Sequence, residues 1–145
     1  PQALRETLHQ EKITPAEAGS SVRNPVEIGF DRSGVSKNYA EGIKLVASDP
    51  SVDMLLVQIN PHFYAQYGVT SAQIEEAVDV LINTAKEIAK PMAVVIPVGD
   101  TPDIIDAVIR AHNKCLKGGL AVFPDMEDAI KAASKLVQYY TLMKD

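Results

Sequence analysis

Three apolar stretches in this chain each end in a polar or Gly/Pro turn, and each is followed by a capped amphipathic helix. They are residues 52–59, 92–98 and 120–123. Because a strand covered by helices on both faces is apolar throughout, this repetition predicts an α/β fold of three layers with a short, mainly parallel sheet. Open sheets of this kind bind ligands beyond the carboxyl ends of their strands, so a functional site is expected at that edge.

The helix boundaries carry local signals. Ser36 is the expected N-cap of the helix that precedes the first apolar stretch. The helix that follows this stretch is expected to start at a capping box formed by Thr70 and Gln73. Pro102 opens the next helix and Asp125 caps the last one. The residues predicted to face the interior from the helix that Pro102 opens are Ile104, Ile105, Val108, Ile109 and Cys115.

Bulk composition excludes several classes of protein. The chain has 145 residues, 46% of them hydrophobic, which suits one domain with a full core. A net charge of -5 disfavours general binding to nucleic acid or to an anionic membrane. No apolar stretch is long enough to cross a bilayer. Cys115 is the lone cysteine, so no intrachain disulfide forms, and a cytoplasmic protein is expected.

The chain divides into two unequal parts. Residues 1–20 are predicted to be a leader or interdomain linker with a short helix, because Pro15 and small residues interrupt any period there. Residues 21–145 form the predicted domain. Because the chain opens with Pro1 and not methionine, we expect it to be part of a longer polypeptide; the alternative is that processing removed the methionine.

Residues 60–69 are predicted to be a long loop rich in aromatic rings, which sits at the carboxyl edge of the sheet. Exposed rings form an apolar patch of the kind that marks an interface. We therefore expect Phe63, Tyr64 and Tyr67 to be covered by another domain or by a second copy of the chain. The alternative is that they fold back onto the domain's own core.

No catalytic or metal site is predicted. His62 directly follows the central strand, but no serine or cysteine adjoins it, so a surface or interface histidine is the expectation. The three histidines have no metal-ligand spacing. Cys115 is expected in the core, and the acidic residues of the helices are expected on solvated faces.

One family accounts for several motifs taken in order. These are residues 24–29 (Asn-Pro-Val-Glu-Ile-Gly), residues 49–57 with Asn60-Pro61 after them, residues 89–91 and residues 121–124. In this order they resemble the third, succinyl-CoA-ligase-like flavodoxin domain of the NDP-forming acyl-CoA synthetases. The counterpart is the carboxy-terminal domain of the succinyl-CoA synthetase beta subunit. The sequence departs from the family at Arg23, Glu27 and Asp100, where the family commonly has glycine, aspartate and a second glycine.

The resemblance implies a role for a helix terminus. The helix after the loop of residues 24–29 would point its N-terminus toward a phosphohistidine carried by the preceding domain, and free amides there stabilise an anion. The residues expected to face that phosphate are Asn24, Pro25, Glu27, Gly29, Ser36 and Gly99. This domain is expected to hold no cofactor itself. The complete enzyme is expected to use CoA, a nucleotide and Mg, held by a CoA-binding domain and an ATP-grasp domain or subunit.

Two functions follow from this reading. The chain is expected to be a non-catalytic part of an acid-CoA ligase that converts acyl-CoA, nucleoside diphosphate and phosphate into carboxylate, CoA and nucleoside triphosphate. The alternative is a stand-alone flavodoxin-like binding or regulatory module, since one fold serves many functions. A homodimer is compatible with either.

Overall fold

The computed structural model describes residues 2–10, 21, 23–28 and 37–143. Within them the chain forms six helices and a parallel sheet of three strands in the order β1-β2-β3. The elements are α1 Gln2–Gln10, α2 Lys37–Ser48, β1 Leu55–Gln58, α3 Pro61–Gln66, α4 Ser71–Glu87, β2 Met92–Val95, α5 Pro102–Lys117, β3 Ala121–Phe123 and α6 Met126–Leu142. The predicted three-layer α/β fold is confirmed.

The central strand β2 is buried on both faces. Val94 and Ile96 belong to the main core cluster, which α2, α4 and α5 close from one side. Ala93 and Val95 are equally buried but point to the opposite face, because side chains alternate along a strand. There α6 contacts β2 and β3, with Ala129 buried. Helices therefore lie on both sides of the sheet. The helix α1 contacts α2.

The strands are shorter than the apolar stretches that predict them. Two hydrogen bonds mark the ends of the β1–β2 ladder. The Leu55 N–H donates to the Pro91 carbonyl (2.9 Å), and the Ile59 N–H donates to the Val95 carbonyl (2.9 Å). The prediction that the second strand extends to Val98 is wrong. Pro97 has no N–H that could continue the hydrogen-bonded ladder, and Val98 is 67% exposed. In residues 24–29, only a single bridge at Val26 is strand-like among the described positions.

Two further expectations are corrected. Residues 60–69 are not a simple loop, because α3 forms inside them: the Asn60 side chain accepts a bond from Phe63 N–H (3.1 Å), and Pro61 is the first helical residue. Ile105 and Ile109 do not share the buried side of α5, since Ile109 is 53% exposed. The buried arc of α5 is the narrower set Ala107, Val108, Ala111 and Cys115.

The predicted helix ends are confirmed where the structure describes them. The capping box of α4 is complete, Pro102 starts α5, and Asp125 caps α6 through a bond from Asp128 N–H (2.8 Å). The helix α5 ends at Lys117, and Gly119 two residues later has a φ of +82°, which favours glycine. The described helices include none that is long and apolar enough to cross a membrane. The division at residue 20 stays a prediction, because residues 11–20 lie outside the described part.

Candidate carboxyl-edge site

The carboxyl ends of the three strands meet at one edge of the sheet. Asn60 and His62 follow β1, Gly99 and Asp100 follow β2, and Asp125 follows β3. Because the strands are parallel and adjacent, the segments after β1 and β2 are direct neighbours. This edge is therefore where the described chain can present chemistry.

A histidine and a carboxylate meet there. The Nδ1–H of His62 donates to Oδ1 of Asp100 at 2.9 Å, and the side-chain amide of Gln66 lies 3.0 Å from the Nε2 of the same ring. With Asp100 as the acceptor, Nδ1 carries a hydrogen, and in the neutral ring the Gln66 amide then donates to the lone pair on Nε2. Both ring nitrogens are thus engaged within the chain. The arrangement tethers α3 to the segment before α5 and leaves no free nitrogen for a substrate.

The helix N-termini at this edge differ in how they are capped. Asn60 caps α3 and Asp125 caps α6, so side chains already bond to amides that could otherwise receive an anion. At α5 the N-cap residue Thr101 makes no side-chain cap bond, but Asp103 places a carboxylate in the first turn. A negative group there opposes the approach of a second anion. The described edge is thus a weak phosphate site.

Gly99 has a packing reason to be glycine. A Cβ built on it would overlap the side chain of Ile104 and lie 3.0 Å from the Ile104 carbonyl carbon. The close approach of the β2–α5 turn to the first turn of α5 therefore requires a residue with no side chain. A phosphate-facing role for Gly99 stays a prediction.

The loop of residues 24–29 and the residue before it are hydrogen-bonded to Ser21. Glu27 N–H donates to the Ser21 carbonyl (2.8 Å), and Arg23 N–H donates to the Ser21 hydroxyl (3.2 Å). Asn24, Pro25 and Glu27 are exposed, with a cis peptide bond between the first two. Among the described residues, no hydrogen bond joins this loop to Gly99 or Asp100. The remaining predicted residues, Gly29 and Ser36, lie outside the described residues.

The aromatic residues of α3 divide between core and surface. Tyr64 packs against the main core cluster, and burial raises the pKa of its phenol. Phe63 is 48% and Tyr67 53% exposed, with their ring centroids 4.9 Å apart. An interface role for Phe63, Tyr64 and Tyr67 stays a prediction, and it rests on the two exposed rings more than on Tyr64.

A groove of about 300 Å³ lies between α4 and α5. Two ion pairs lie along it: Arg110 contacts Glu75 at 2.8 Å, and Lys114 contacts Asp79 at 2.6 Å. The acidic face of α4 thus pairs with α5. In the part of the chain that the structure describes, no three His, Cys, Asp or Glu side chains are grouped as metal ligands.

Sequence reasoning missed two partnerships at this edge. The hydrogen bond between His62 and Asp100 was not predicted, nor was the close approach of Gly99 to Ile104. The signal for the first pair was available, because both residues follow strands that a parallel sheet would place side by side. Comparisons of the chain with family models, with curated proteins and with solved structures find no match.

Proposed function

We propose that this chain is a packing domain of an NDP-forming acyl-CoA synthetase, which covers the phosphohistidine site of a neighbouring domain and performs no chemistry alone. The order of motifs at residues 24–29, 49–57 and 121–124 supports this assignment. The α/β fold with a parallel sheet is the fold that such a domain requires. CoA, nucleotide and Mg are held by the other domains of the enzyme, which is cytoplasmic.

The observation that carries the proposal is the character of the carboxyl edge. The side chains of His62, Asp100 and Gln66 bond to one another, and those of Asn60 and Asp125 bond to backbone amides. At the same edge, the side chains of Phe63 and Tyr67 are about half exposed, and Val98 is 67% exposed. A substrate site needs polar groups that are free to orient a ligand, whereas exposed apolar groups beside satisfied polar groups suit contact with a protein surface.

The helix α2 supports the anion-stabilising role. Its described part starts at Lys37, and the first turn of that part contains no acidic residue. Its N-terminal amides therefore meet no carboxylate of their own turn, in contrast to those of α5 and α6. A phosphorylated histidine from the neighbouring domain would find a compatible partial positive charge there.

Reconstitution tests the proposal. The chain is incubated with acetate, CoA, ATP and Mg²⁺, alone and with separately produced CoA-binding, phosphohistidine-bearing and ATP-grasp domains of an NDP-forming acyl-CoA synthetase. We expect no acetyl-CoA from the chain alone and a rate with the other domains that depends on adding the chain. Turnover by the chain alone contradicts the packing role. A rate that never depends on the chain favours the stand-alone module.

Matched variants locate the surface. Tyr67→Ser changes a carboxyl-edge residue that is 53% exposed, and Ile109→Ser changes a residue of α5 with the same exposure. We expect Tyr67→Ser to weaken reconstitution and Ile109→Ser to leave it unchanged. Equal effects of the two variants would contradict the assignment of the edge. The coding sequence upstream of Pro1 is a second discriminator, since a histidine in a small-residue loop there supports the synthetase.

A further inference from the structure

The helices α4 and α5 run in the same direction and are joined by two ion pairs. Arg110 of α5 pairs with Glu75 of α4, and Lys114 pairs with Asp79. Both members of the second pair lie four residues after those of the first, which is about one helical turn. The groove of about 300 Å³ between the two helices therefore has its walls held in register.

One wall of this groove carries hydrogen-bond donors that have no partner in the described part of the chain. They belong to Arg110, Asn113 and Lys117, which line the groove from α5. Arg110 donates to Glu75 through Nε at 2.8 Å, and its two Nη groups make no bond to a described residue. The Asn113 amide and the Lys117 ammonium likewise have no hydrogen bond or ion pair within the described residues. Three side chains in one groove can therefore donate to a ligand.

These three side chains lie on one face of α5. They are three and four residues apart, which is the spacing of neighbours on a helix surface. Because Glu75 holds the guanidinium of Arg110 by Nε, the edge formed by the two Nη groups is left for a ligand. Two parallel N–H bonds from such an edge match two oxygens of a carboxylate or a phosphate. Asn113 and Lys117 supply further donors along the same face.

The charges of the groove favour an anion. The carboxylates of α4 neutralise Arg110 and Lys114, whereas Lys117 has no such partner among the described residues. The groove therefore has an excess positive charge, although the whole chain has a net charge of -5. A lysine in the last turn of a helix also suits the negative end of the macrodipole. The macrodipole does not explain why the donors of Arg110 and Asn113 lie beside it without a partner.

We propose that this groove binds a phosphate group, either free or as an ester of a small molecule, through Arg110, Asn113 and Lys117. A carboxylate has two oxygens, whereas a phosphate ester has three acceptor oxygens and can bond to the Nη edge and to a further donor at once. A volume of about 300 Å³ lies at the lower end of the range for small-molecule sites. This proposal goes beyond the proposed function and does not depend on it.

Phosphate titration followed by NMR tests the proposal. The ¹⁵N-labelled protein is titrated with sodium phosphate at neutral pH, and sodium chloride keeps the ionic strength constant, since salt screens exposed charges. We expect saturable shifts of the backbone amides of Arg110 and Lys117 and of the side-chain amide of Asn113. Shifts that rise linearly without saturation, or that are confined to the start of α2, overturn the proposal. The second result would leave the anion role of α2 intact, so the two proposals can fail separately.

Matched variants test the residues. Lys117→Met should weaken phosphate binding about 5-fold, the upper range for an exposed ion pair. Lys131→Met removes the same charge from an exposed pair with Glu127 in α6 and should leave binding unchanged. Arg110→Lys keeps the charge but removes the Nη edge, and it should also weaken binding about 5-fold. Circular dichroism should show all three variants folded.

Two results would contradict the residue assignment. Equal weakening by Lys117→Met and Lys131→Met would mean that phosphate responds to net charge alone, which overturns the site. An Arg110→Lys protein that binds phosphate as tightly as the wild type overturns the bidentate role of the guanidinium.

Three probes identify the ligand class. Inorganic phosphate, glycerol 3-phosphate and acetate are compared in the same titration. Tighter binding of glycerol 3-phosphate than of inorganic phosphate identifies a phosphate ester as the ligand, and equal or weaker binding identifies free phosphate. Acetate, with two oxygens, should bind less tightly than inorganic phosphate. Acetate that binds as tightly overturns the choice of phosphate.

Discussion

Replacement of Gly99 by alanine should destabilise the domain through a single identifiable clash. The new Cβ would overlap the side chain of Ile104 and lie 3.0 Å from its carbonyl carbon. A change of rotamer can move the outer atoms of Ile104 but not its backbone. The first turn of α5 must therefore shift, and with it the contacts of Ile104 to the core cluster.

The size of the effect follows from the cost of overpacking. Extra atoms forced into a packed site cost about 1 to 3 kcal/mol. For a domain of this size, a loss of 1 kcal/mol lowers the melting temperature by about 4 °C, so Gly99→Ala should lower it by about 4 to 12 °C. The neighbouring Val98→Ala should change stability by less than about 0.5 kcal/mol, because Val98 is 67% exposed.

Urea unfolding followed by circular dichroism measures both variants, and a double-mutant cycle with Ile104→Ala identifies the partner. Removing the outer atoms of Ile104 should recover part of the loss, with a coupling free energy of about 1 kcal/mol. A Gly99→Ala protein as stable as the wild type would refute the packing argument. It would also return the glycine to a role at the predicted phosphate surface. A zero coupling energy would refute the assignment to Ile104.

Three further outcomes are expected from the structure. Thr70→Ala should lower the free energy of unfolding by about 1 kcal/mol in urea titration, because the bond from Gln73 N–H to the Thr70 hydroxyl (3.3 Å) is lost. Leu81→Ala should cost about 2 to 5 kcal/mol because Leu81 is fully buried, whereas Leu142→Ala should cost almost nothing because Leu142 is 75% exposed; equal losses would contradict the burial pattern. Burial raises the pKa of the Cys115 thiol from 9.0 to about 11, so the unfolded chain loses this proton first and stability should fall as the pH rises between those values. At pH 8 a thiol reagent should label Cys115 only in denaturant.

The sequence alone determined the features that depend on neighbours a few residues away. The capping box at Thr70, the proline at the start of α5 and the Asp125 cap of α6 were predicted and are confirmed. Each is an interaction within a single turn of chain, so no other part of the fold can change it. The α/β fold was predictable for a related reason, because strands buried on both faces must be apolar throughout.

The sequence was a poorer guide where two local signals competed. Residues 60–69 contain aromatic rings typical of a surface loop, but the Asn60 cap and Pro61 initiate the short helix α3 there. The β2 stretch reads as apolar to Val98, yet Pro97 ends the hydrogen-bonded ladder before it. In both cases the backbone hydrogen bonds, and not the hydrophobicity of the side chains, determine where the helix or strand lies.

Tertiary structure alone decided which residues meet and which apolar faces are covered. His62 and Asp100 lie 38 positions apart and touch because β1 and β2 are adjacent and parallel. The apolar side chains of Ile109 and Tyr140 follow the same helical periodicity as buried ones, yet both stay exposed. Periodicity records which side of a helix is apolar. Whether that side is covered depends on how far the neighbouring sheet extends, and a sheet of three short strands ends before α6 does.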